Sequence, residues 1–143
     1  MKRTALAWAA LVGSASLLEC AGSGHRETTA LAAAVDRYRR AADPVKAAEA
    51  EAVGRVACSD EKVCAAKSAC IAAIDPTTRA LAIKDEVTHR LADLQQNRIT
   101  PASAEAQALP DKLDQATRLL GEGRTKMADC DKQLTDLEVT YGR

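Results

Sequence analysis

The sequence predicts an all-α fold, an antiparallel up-down-up bundle or hairpin of three long, kinked helices stapled by disulfides. Alanine, the strongest helix former, accounts for 31 of the 143 residues. Aromatic residues make up only 2% of the chain, and the β-branched and aromatic runs typical of strands are missing. Apolar residues instead recur at steps of three and four, which is the spacing of one helix face.

The N-terminus has the features of an export signal. Met1-Lys2-Arg3 is a positively charged start, and residues 4–18 form an uncharged, mostly apolar run. A run of this length fits the apolar region of a signal peptide and is short for a membrane-spanning helix. The predicted organisation is therefore a signal peptide over residues 1–19, a flexible tether over 20–28 and a helical domain over 29–143.

The segment Leu17-Leu18-Glu19-Cys20 resembles the lipobox of bacterial lipoproteins, which ends in a cysteine that is acylated after cleavage. The resemblance implies that Cys20 is lipidated, although Glu19 stands where the family has a small residue. Because Ala21 is not Asp, enteric-type sorting implies a lipid anchor in the outer membrane of the cell envelope, facing the periplasm. A secreted or periplasmic protein cleaved near Ala15 or Ala21, and an uncleaved anchor, remain as alternatives.

Three helical stretches follow the predicted tether. The first begins at Thr28 or Thr29, and Asp43-Pro44 interrupts it as either a kink or a boundary between two stacked helices. The second runs from about residue 60 to 98, with a break expected at Asp75-Pro76. The third follows Thr100-Pro101 and ends near residue 141.

Each stretch has its own predicted apolar seam, and the third is the most regular, with heptad spacing. Pro110 and the segment 121–123 are expected to bend or break that third stretch. The three seams are Leu31, Val35, Tyr38, Ala42, Val45, Ala48, Ala52 and Val56; Val63, Cys70, Ile74, Leu81, Val87, Leu91 and Leu94; and Leu113, Ala116, Leu120, Gly123, Met127, Cys130, Leu134, Leu137 and Tyr141.

Four cysteines remain once Cys20 is set aside, and an even number in an exported protein indicates two disulfides. Cys64 and Cys70 are six residues apart, and six residues on a helix turn through about 600°, so these two side chains point in different directions. A Cys64–Cys70 bridge is therefore disfavoured. We favour Cys58–Cys64 with Cys70–Cys130, and Cys58–Cys70 with Cys64–Cys130 is the alternative.

A register argument supports the Cys70–Cys130 pair. If the second and third stretches form an antiparallel hairpin that turns near Thr100, the numbers of paired residues sum to about 200. Cys70 and Cys130 meet this condition. Pro76 then lies opposite residue 124, beside Gly121 and Gly123, so both helices are expected to break at the same level.

No motif in the sequence indicates catalysis, a cofactor or a metal. The cysteines lack the short C-x2–4-C spacing of zinc sites, and Cys-x-x-Cys is absent. His25 and His89 belong to no catalytic set; His25 lies in the predicted tether, and His89 is predicted to be a solvated side chain on the second helix. The 20 basic and 20 acidic residues are interspersed, which argues against the basic face of a nucleic-acid-binding protein.

These observations predict a non-enzymatic helical lipoprotein of the cell envelope that presents a protein-interaction surface, as a structural, adaptor or inhibitor protein. The expected partner is an unknown envelope protein or a second copy, and the membrane is contacted through lipid on Cys20. The alternative is a helical module that binds a lipid, a metal or a small apolar ligand. An exposed apolar stripe would favour the first hypothesis, and an apolar pocket inside the bundle the second.

Overall fold

The structure is a computed structural model that describes residues 19–142, with the side chains of residues 19–21 excluded. Within this range the chain is helical and contains no β-strand, which confirms the all-α prediction for the described residues. The helices are α1 (Glu19–Arg40), α2 (Asp43–Arg55), α3 (Glu61–Gln95), α4 (Ala104–Gln107) and α5 (Leu109–Tyr141). The predicted signal peptide lies outside the described residues, apart from the backbone of Glu19.

Helices α3 and α5 form a long antiparallel hairpin. A disulfide joins Cys70 to Cys130, and Lys112 Nζ lies 2.6 Å from a carboxylate oxygen of Glu86. The residue numbers of these two pairs sum to 200 and 198, so the register of the hairpin agrees with the one expected from the sequence. The short helix α4 lies in the connection between the two long helices and contacts both.

Helix α1 lies against one half of this hairpin and runs in the same direction as α3. Glu27 of α1 accepts hydrogen bonds from Ser59, just before the start of α3. Further along, Tyr38 of α1 and Thr77 of α3 line the same groove. Since α5 runs the opposite way, α1 is antiparallel to α5.

Helix α2 runs back along α3. Asp43 at its start forms an ion pair with Lys84 at 2.8 Å, and the carbonyl of Val56, just past its end, accepts a hydrogen bond from Lys67 at 2.7 Å. The four longer helices therefore run alternately up, down, up and down. This differs from the expected up-down-up arrangement because the first predicted stretch consists of two separate helices.

A sharp corner separates α1 from α2. Pro44 occupies the first turn of α2, where its missing N–H costs no helical hydrogen bond. The ammonium of Lys46 reaches back to the end of α1 and donates to the carbonyls of Tyr38, Arg39 and Ala41 at 3.1, 3.4 and 2.8 Å. These bonds satisfy carbonyls that have no partner inside α1.

The two breaks expected inside the hairpin are absent, because α3 continues through Pro76 and α5 through residues 121–123. Pro76 is buried, and Gly123 lets the two helices approach closely: a Cβ atom on Gly123 would collide with Thr77 Oγ1 and lie 3.1 Å from the Ala73 carbonyl oxygen. Packing along the hairpin thus offsets the single backbone hydrogen bond that proline removes.

The predicted seam of α5 is wrong at Leu113 and Leu120, while Ala116 and Gly123 are buried as expected. Leu113 and Leu120 are 47% and 43% exposed, whereas Leu119 is buried. The buried positions Ala116, Leu119, Gly123 and the half-buried Met127 are spaced three, four and four residues apart, which is an 11-residue step rather than a heptad. A straight α-helix has about 3.6 residues per turn, so positions spaced by a strict heptad shift gradually around its surface, and the buried positions depart from the heptad in the same way.

Four other seam assignments are also wrong, and two of these, Ala42 and Ala48 of the first stretch, are exposed. Leu91 of α3 is 46% exposed, and Val45 of α2 is 51% exposed. Val53, which was not assigned to the seam of the first stretch, is fully buried instead. In α2 the prediction fails because the corner before this helix changes its orientation. Positions that continue the apolar spacing of α1 therefore no longer face the core.

The segment predicted as a flexible tether, residues 20–28, belongs to α1. Gly24 and Thr28 are buried, and Gly24 lies under the ring of Tyr141, since an added Cβ would be 2.7 Å from Tyr141 Cε1. The absence of a side chain at Gly24 lets α1 contact the end of α5 at this point. This contact continues the ordered domain toward the N-terminus well before residue 29.

The hydrophobic core is concentrated in one half of the molecule. We call this the proximal half, where α1 and α2 cover the hairpin. We call the remainder, from about residue 77 of α3 to residue 123 of α5, the distal half, and the start of α2 reaches it at Lys84. The main core cluster lies in the proximal half, and a second, smaller cluster lies in the distal half. The main cluster is Leu31, Ala34, Val35, Tyr38, Val53, Val63, Ala66, Cys70, Ala73, Ile74, Cys130, Leu134 and Leu137, and the smaller is Ala80, Ala116 and Leu119.

Candidate interaction surface

Two disulfides have very different surroundings. The structure pairs Cys58 with Cys64 and Cys70 with Cys130, the pairing that the sequence favoured, with Cα–Cα distances of 5.2 and 4.6 Å. Cys70 and Cys130 are completely buried in the main core. Cys58 and Cys64 are partly exposed beside the turn before α3. The first bridge therefore closes a small surface turn, and the second joins two long helices through the core.

The start of α3 and the end of α5 meet α1 beside the Cys58–Cys64 bridge, at what we call the helix junction: Glu27, Ser59, Asp60 and Tyr141. Glu27 of α1 accepts hydrogen bonds from the backbone N–H of Ser59 at 2.9 Å and from the Ser59 hydroxyl at 2.7 Å. Asp60 caps α3 by accepting from the N–H groups of Lys62 and Val63, and it also accepts from the Tyr141 hydroxyl of α5 at 2.5 Å. One short turn thus connects α1, α3 and α5.

The hydrogen bonds of the helix junction shift three pKa values. The hydroxyl and backbone N–H of Ser59 hold the pKa of Glu27 below its ordinary value. The Tyr141 hydroxyl lowers the pKa of Asp60, and the same hydrogen bond raises the pKa of Tyr141. Both carboxyl groups are therefore more strongly ionised, and the phenol more strongly protonated, than in the unfolded chain.

The sequence missed most of this junction. Asp60 was recognised as the start of a helix, but its contact with Tyr141 spans 81 residues and leaves no local signal. His25, which the sequence placed in the tether, is partly buried, and its Nδ1 lies 3.2 Å from the Tyr141 carbonyl oxygen, close enough for an N–H to donate a hydrogen bond. His89 is exposed on α3.

The distal half carries an exposed apolar surface, which we call the distal face: Leu91, Leu113 and Leu120. Leu113 and Leu120 are seven residues apart and lie on one side of α5. On α3, Thr77, Lys84 and Leu91 follow one another at steps of seven residues and therefore lie on one side of the helix. Thr77 lines a groove with Leu120, and Lys84 pairs with the start of α2, so this side faces α1 and α2. Helical spacing therefore places all three leucines on the side of the hairpin that α1 and α2 cover in the proximal half.

A groove of about 330 Å³ lies where α1 ends and the distal face begins. Tyr38, Lys46, Leu120 and Arg124 contribute to its walls. The Lys46 ammonium lies 5.0 Å from the centre of the Tyr38 ring and donates to carbonyls at the end of α1. The pKa of Asp43 is lowered mainly by Lys84 and also by Lys46. Arg124 pairs with no described carboxylate. This end of the distal face is therefore positively charged.

Tyr38 is the buried polar residue of this groove. Burial raises its pKa, while the nearby hydroxyls of Thr78 and Thr77 partly offset that effect. The Tyr38 hydroxyl is enclosed without a hydrogen bond of good geometry among the described residues. The ring itself stabilises the core, since the residue is 2% exposed.

A second groove, of about 550 Å³, runs between α1 and α5 in the proximal half. Its walls include Asp36, Arg39, Asp131 and Glu138, and Arg39 forms an ion pair with Asp131 across it. Because the groove is open and its walls are charged, it does not have the apolar character of a pocket for a lipid or a small apolar ligand.

The described residues give no indication of a metal centre or a membrane span. Between residues 19 and 142, no three His, Cys, Asp or Glu side chains are grouped to hold a metal ion, and Cys58, Cys64, Cys70 and Cys130 are all in disulfides. No helix in this range combines the length and apolar character needed to cross a membrane. The predicted lipidation of Cys20 lies outside the described residues, because its side chain is not described.

Comparison of the chain with protein-family models, with curated proteins and with solved structures gives no match.

Proposed function

We propose that this is a non-enzymatic lipoprotein of the cell envelope, anchored through Cys20, that presents its distal face to an amphipathic helix of a partner protein. The observation that carries the proposal is the exposure of Leu91, Leu113 and Leu120 along one side of the hairpin. Envelope location is supported by the two disulfides, which persist in oxidising compartments.

A helix is the occupant that the surface favours, because the distal face continues an interface already made by a helix. In the proximal half, α1 packs on α3 and α5 and buries Leu31 and Val35 completely. Helix α1 ends at Arg40, two residues past Tyr38, which shares a groove with Leu120, and the apolar positions of α5 continue beyond this point. Apolar residues at a, d and a flanking position give a helix a wide apolar stripe, which is typical of a helix packed in a core with more than two helices.

The charge at the start of the distal face further specifies the partner. Arg124 lines the groove there and has no carboxylate partner among the described residues. A partner helix with an acidic residue on its polar flank would complement this charge. The proposed partner is therefore an amphipathic helix with leucine-like residues on one face and Asp or Glu at its edge.

Site-specific photo-crosslinking in intact cells tests the proposal. A crosslinker at residue 120 is expected to capture one protein, through a peptide that has this amphipathic acidic pattern, and Leu113→Lys is expected to abolish the capture. Val139 is the matched control site, because it is an apolar residue of the same helix that is 82% exposed outside the distal face.

Three outcomes would overturn the proposed partner. Capture of the same set of proteins from residues 120 and 139 would show that the surface has no selectivity. Capture of lipid at residue 120 would replace the partner helix with a membrane or lipid ligand. A dimer in light scattering that dissociates with Leu113→Lys would make the occupant a second copy of this chain.

The anchor has its own test. Cys20→Ser is expected to move the protein from the membrane fraction to the soluble periplasmic or secreted fraction and to remove incorporation of a fatty-acid label. Retention of the Cys20→Ser protein in the membrane fraction would contradict lipid anchoring and would favour an uncleaved N-terminal anchor.

A further inference from the structure

We propose that the Cys58–Cys64 disulfide is a redox-modification site for a dithiol reductant, whose reduction releases α1 from the helix junction while the hairpin stays closed. The inference does not depend on the proposed partner. It follows from the contrast between the two disulfides and from what the turn beside the first one holds in place.

The two disulfides differ in access. Cys58 and Cys64 are partly exposed, whereas Cys70 and Cys130 are 0% exposed and packed within the main core. Thiol–disulfide exchange requires a thiolate to reach one sulfur along the S–S axis, so accessible bridges react before buried ones. A reductant therefore reaches Cys58–Cys64 in the folded protein and reaches Cys70–Cys130 only when the core opens.

The reaction is a two-electron exchange. A thiolate of the reductant attacks one sulfur of Cys58–Cys64, forms a mixed disulfide and releases the other sulfur as a thiolate, which takes up a proton. The second thiol of the reductant, as its thiolate, then attacks the mixed disulfide. The protein ends with two cysteine thiols and the reductant with one disulfide, so two electrons and two protons have moved to the protein.

Reduction acts on the helix junction through the turn that the bridge closes. Ser59 and Asp60 lie inside the loop between the two cysteines. Ser59 makes the two hydrogen bonds to Glu27 of α1, and Asp60 accepts the one from Tyr141 of α5. When the bridge is cut, the turn gains conformational freedom, and its hydrogen bonds, of which the two to Glu27 are exposed, must order it without the covalent closure.

The hairpin has an independent closure. Cys70–Cys130 joins α3 to α5 within the core, and the Lys112–Glu86 ion pair lies further toward the tip. Neither depends on the turn at residues 58–64. Selective reduction is therefore expected to loosen the proximal end of α1 without separating α3 from α5.

Graded reduction of the full chain with dithiothreitol tests the proposal. Samples are alkylated at intervals and mapped by peptide mass spectrometry, which keeps Cys20 separate from the other four cysteines. Cys58 and Cys64 are expected to be labelled under conditions that leave Cys70 and Cys130 oxidised. In that partly reduced protein, hydrogen exchange is expected to rise on the order of tenfold in residues 22–28 and 56–60, with the helices around residues 70 and 130 unchanged.

The variant Cys58→Ala/Cys64→Ala provides the matched control. It is expected to show the same exchange pattern without reductant and no further change when dithiothreitol is added at the selective concentration. Simultaneous labelling of all four cysteines would overturn the proposal, because it would mean that the first bridge reacts only when the whole domain opens. Selective reduction with unchanged exchange in residues 22–28 would also overturn it, because the bridge would then have no control over α1.

Discussion

The proximal and distal halves use the same two helices in different ways. In the proximal half, α1 and α2 cover the hairpin, and Leu31, Val35 and Val63 are fully buried. In the distal half, only α3 and α5 are long helices, and leucines at seam-like positions are nearly half exposed. The comparison shows that burial along a helix is decided by how many neighbours it has, since apolar spacing continues through both halves.

The largest expected effect concerns the two disulfides. Replacing Cys70 and Cys130 with Ala is expected to lower the free energy of unfolding by about 4 kcal/mol, because the bridge closes a loop of about 60 residues. The same change at Cys58 and Cys64 is expected to cost about 2 kcal/mol, since that loop is far shorter. Urea unfolding of both variants measures the difference, and equal losses would contradict the greater contribution of the Cys70–Cys130 bridge to stability.

A leucine in each half provides the second test. Leu31→Ala is expected to destabilise the protein by about 3 kcal/mol, because Leu31 is fully buried and a cavity would remain. Leu113→Ala is expected to change the free energy of unfolding by less than about 1 kcal/mol, since Leu113 lies on the exposed distal face. Thermal unfolding monitored by circular dichroism distinguishes the two, and a reversed order would mean that the distal face is buried in solution.

Two glycines of α5 form a matched pair for the third test. Gly123→Ala is expected to destabilise by about 2 kcal/mol, because the new Cβ would collide with Thr77 and crowd the Ala73 carbonyl. Gly121→Ala is expected to stabilise by about 1 kcal/mol, since nothing lies within 4 Å of a Cβ there and alanine favours the helix. Stabilisation by both substitutions would show that the helices do not approach closely at Gly123.

The smallest effect is the pH dependence of the helix junction. The folded pKa values of Asp60 and Glu27 lie below their ordinary values of 3.8 and 4.5, so their stabilisation is complete above those values and is lost as the pH falls through the folded pKa values. Tyr141 has a raised pKa, so its stabilisation is complete below its ordinary value of 10.0 and is lost as the pH rises through the folded pKa.

The variant Tyr141→Phe isolates this contribution. It is expected to be less stable at neutral pH and to lose less stability than the wild type above pH 10, because it has no phenol to ionise. Melting temperatures measured across acid, neutral and alkaline buffers provide the comparison. Parallel curves for the two proteins above pH 10 would indicate that the hydrogen bond to Asp60 contributes nothing to stability.

The features that could be predicted from the sequence are those set by local spacing. Helix content, the cap at Asp60 and the register that brings Cys70 to Cys130 all follow from residue type and rise per residue. The seam of α5 was wrong at Leu113 and Leu120 because Leu119 and Leu120 are adjacent, and either can face the partner helix. Only the tertiary contact at Gly123 fixes which of them is buried.

The parts that could not be predicted depend on contacts between distant segments. The ordered start of α1 depends on Tyr141, which lies over Gly24 from the other end of the chain. At Asp43-Pro44 the sequence allowed either a kink in one helix or a boundary between two helices. The structure has two helices, and the hydrogen bonds from Lys46 to carbonyls at the end of α1 stabilise the corner between them. The distal face has no sequence signal of its own, since exposed and buried leucines look alike in a helical pattern.

The Cys70–Cys130 bridge makes residues 70 to 130 a covalently closed ring that contains the whole hairpin tip. A protease that cuts once between Gln95 and Leu109 would open this ring without dividing the molecule, because both fragments would stay joined through sulfur. The tip, including α4, can therefore be nicked while the two fragments of the chain remain covalently linked until a reductant reaches the buried bridge.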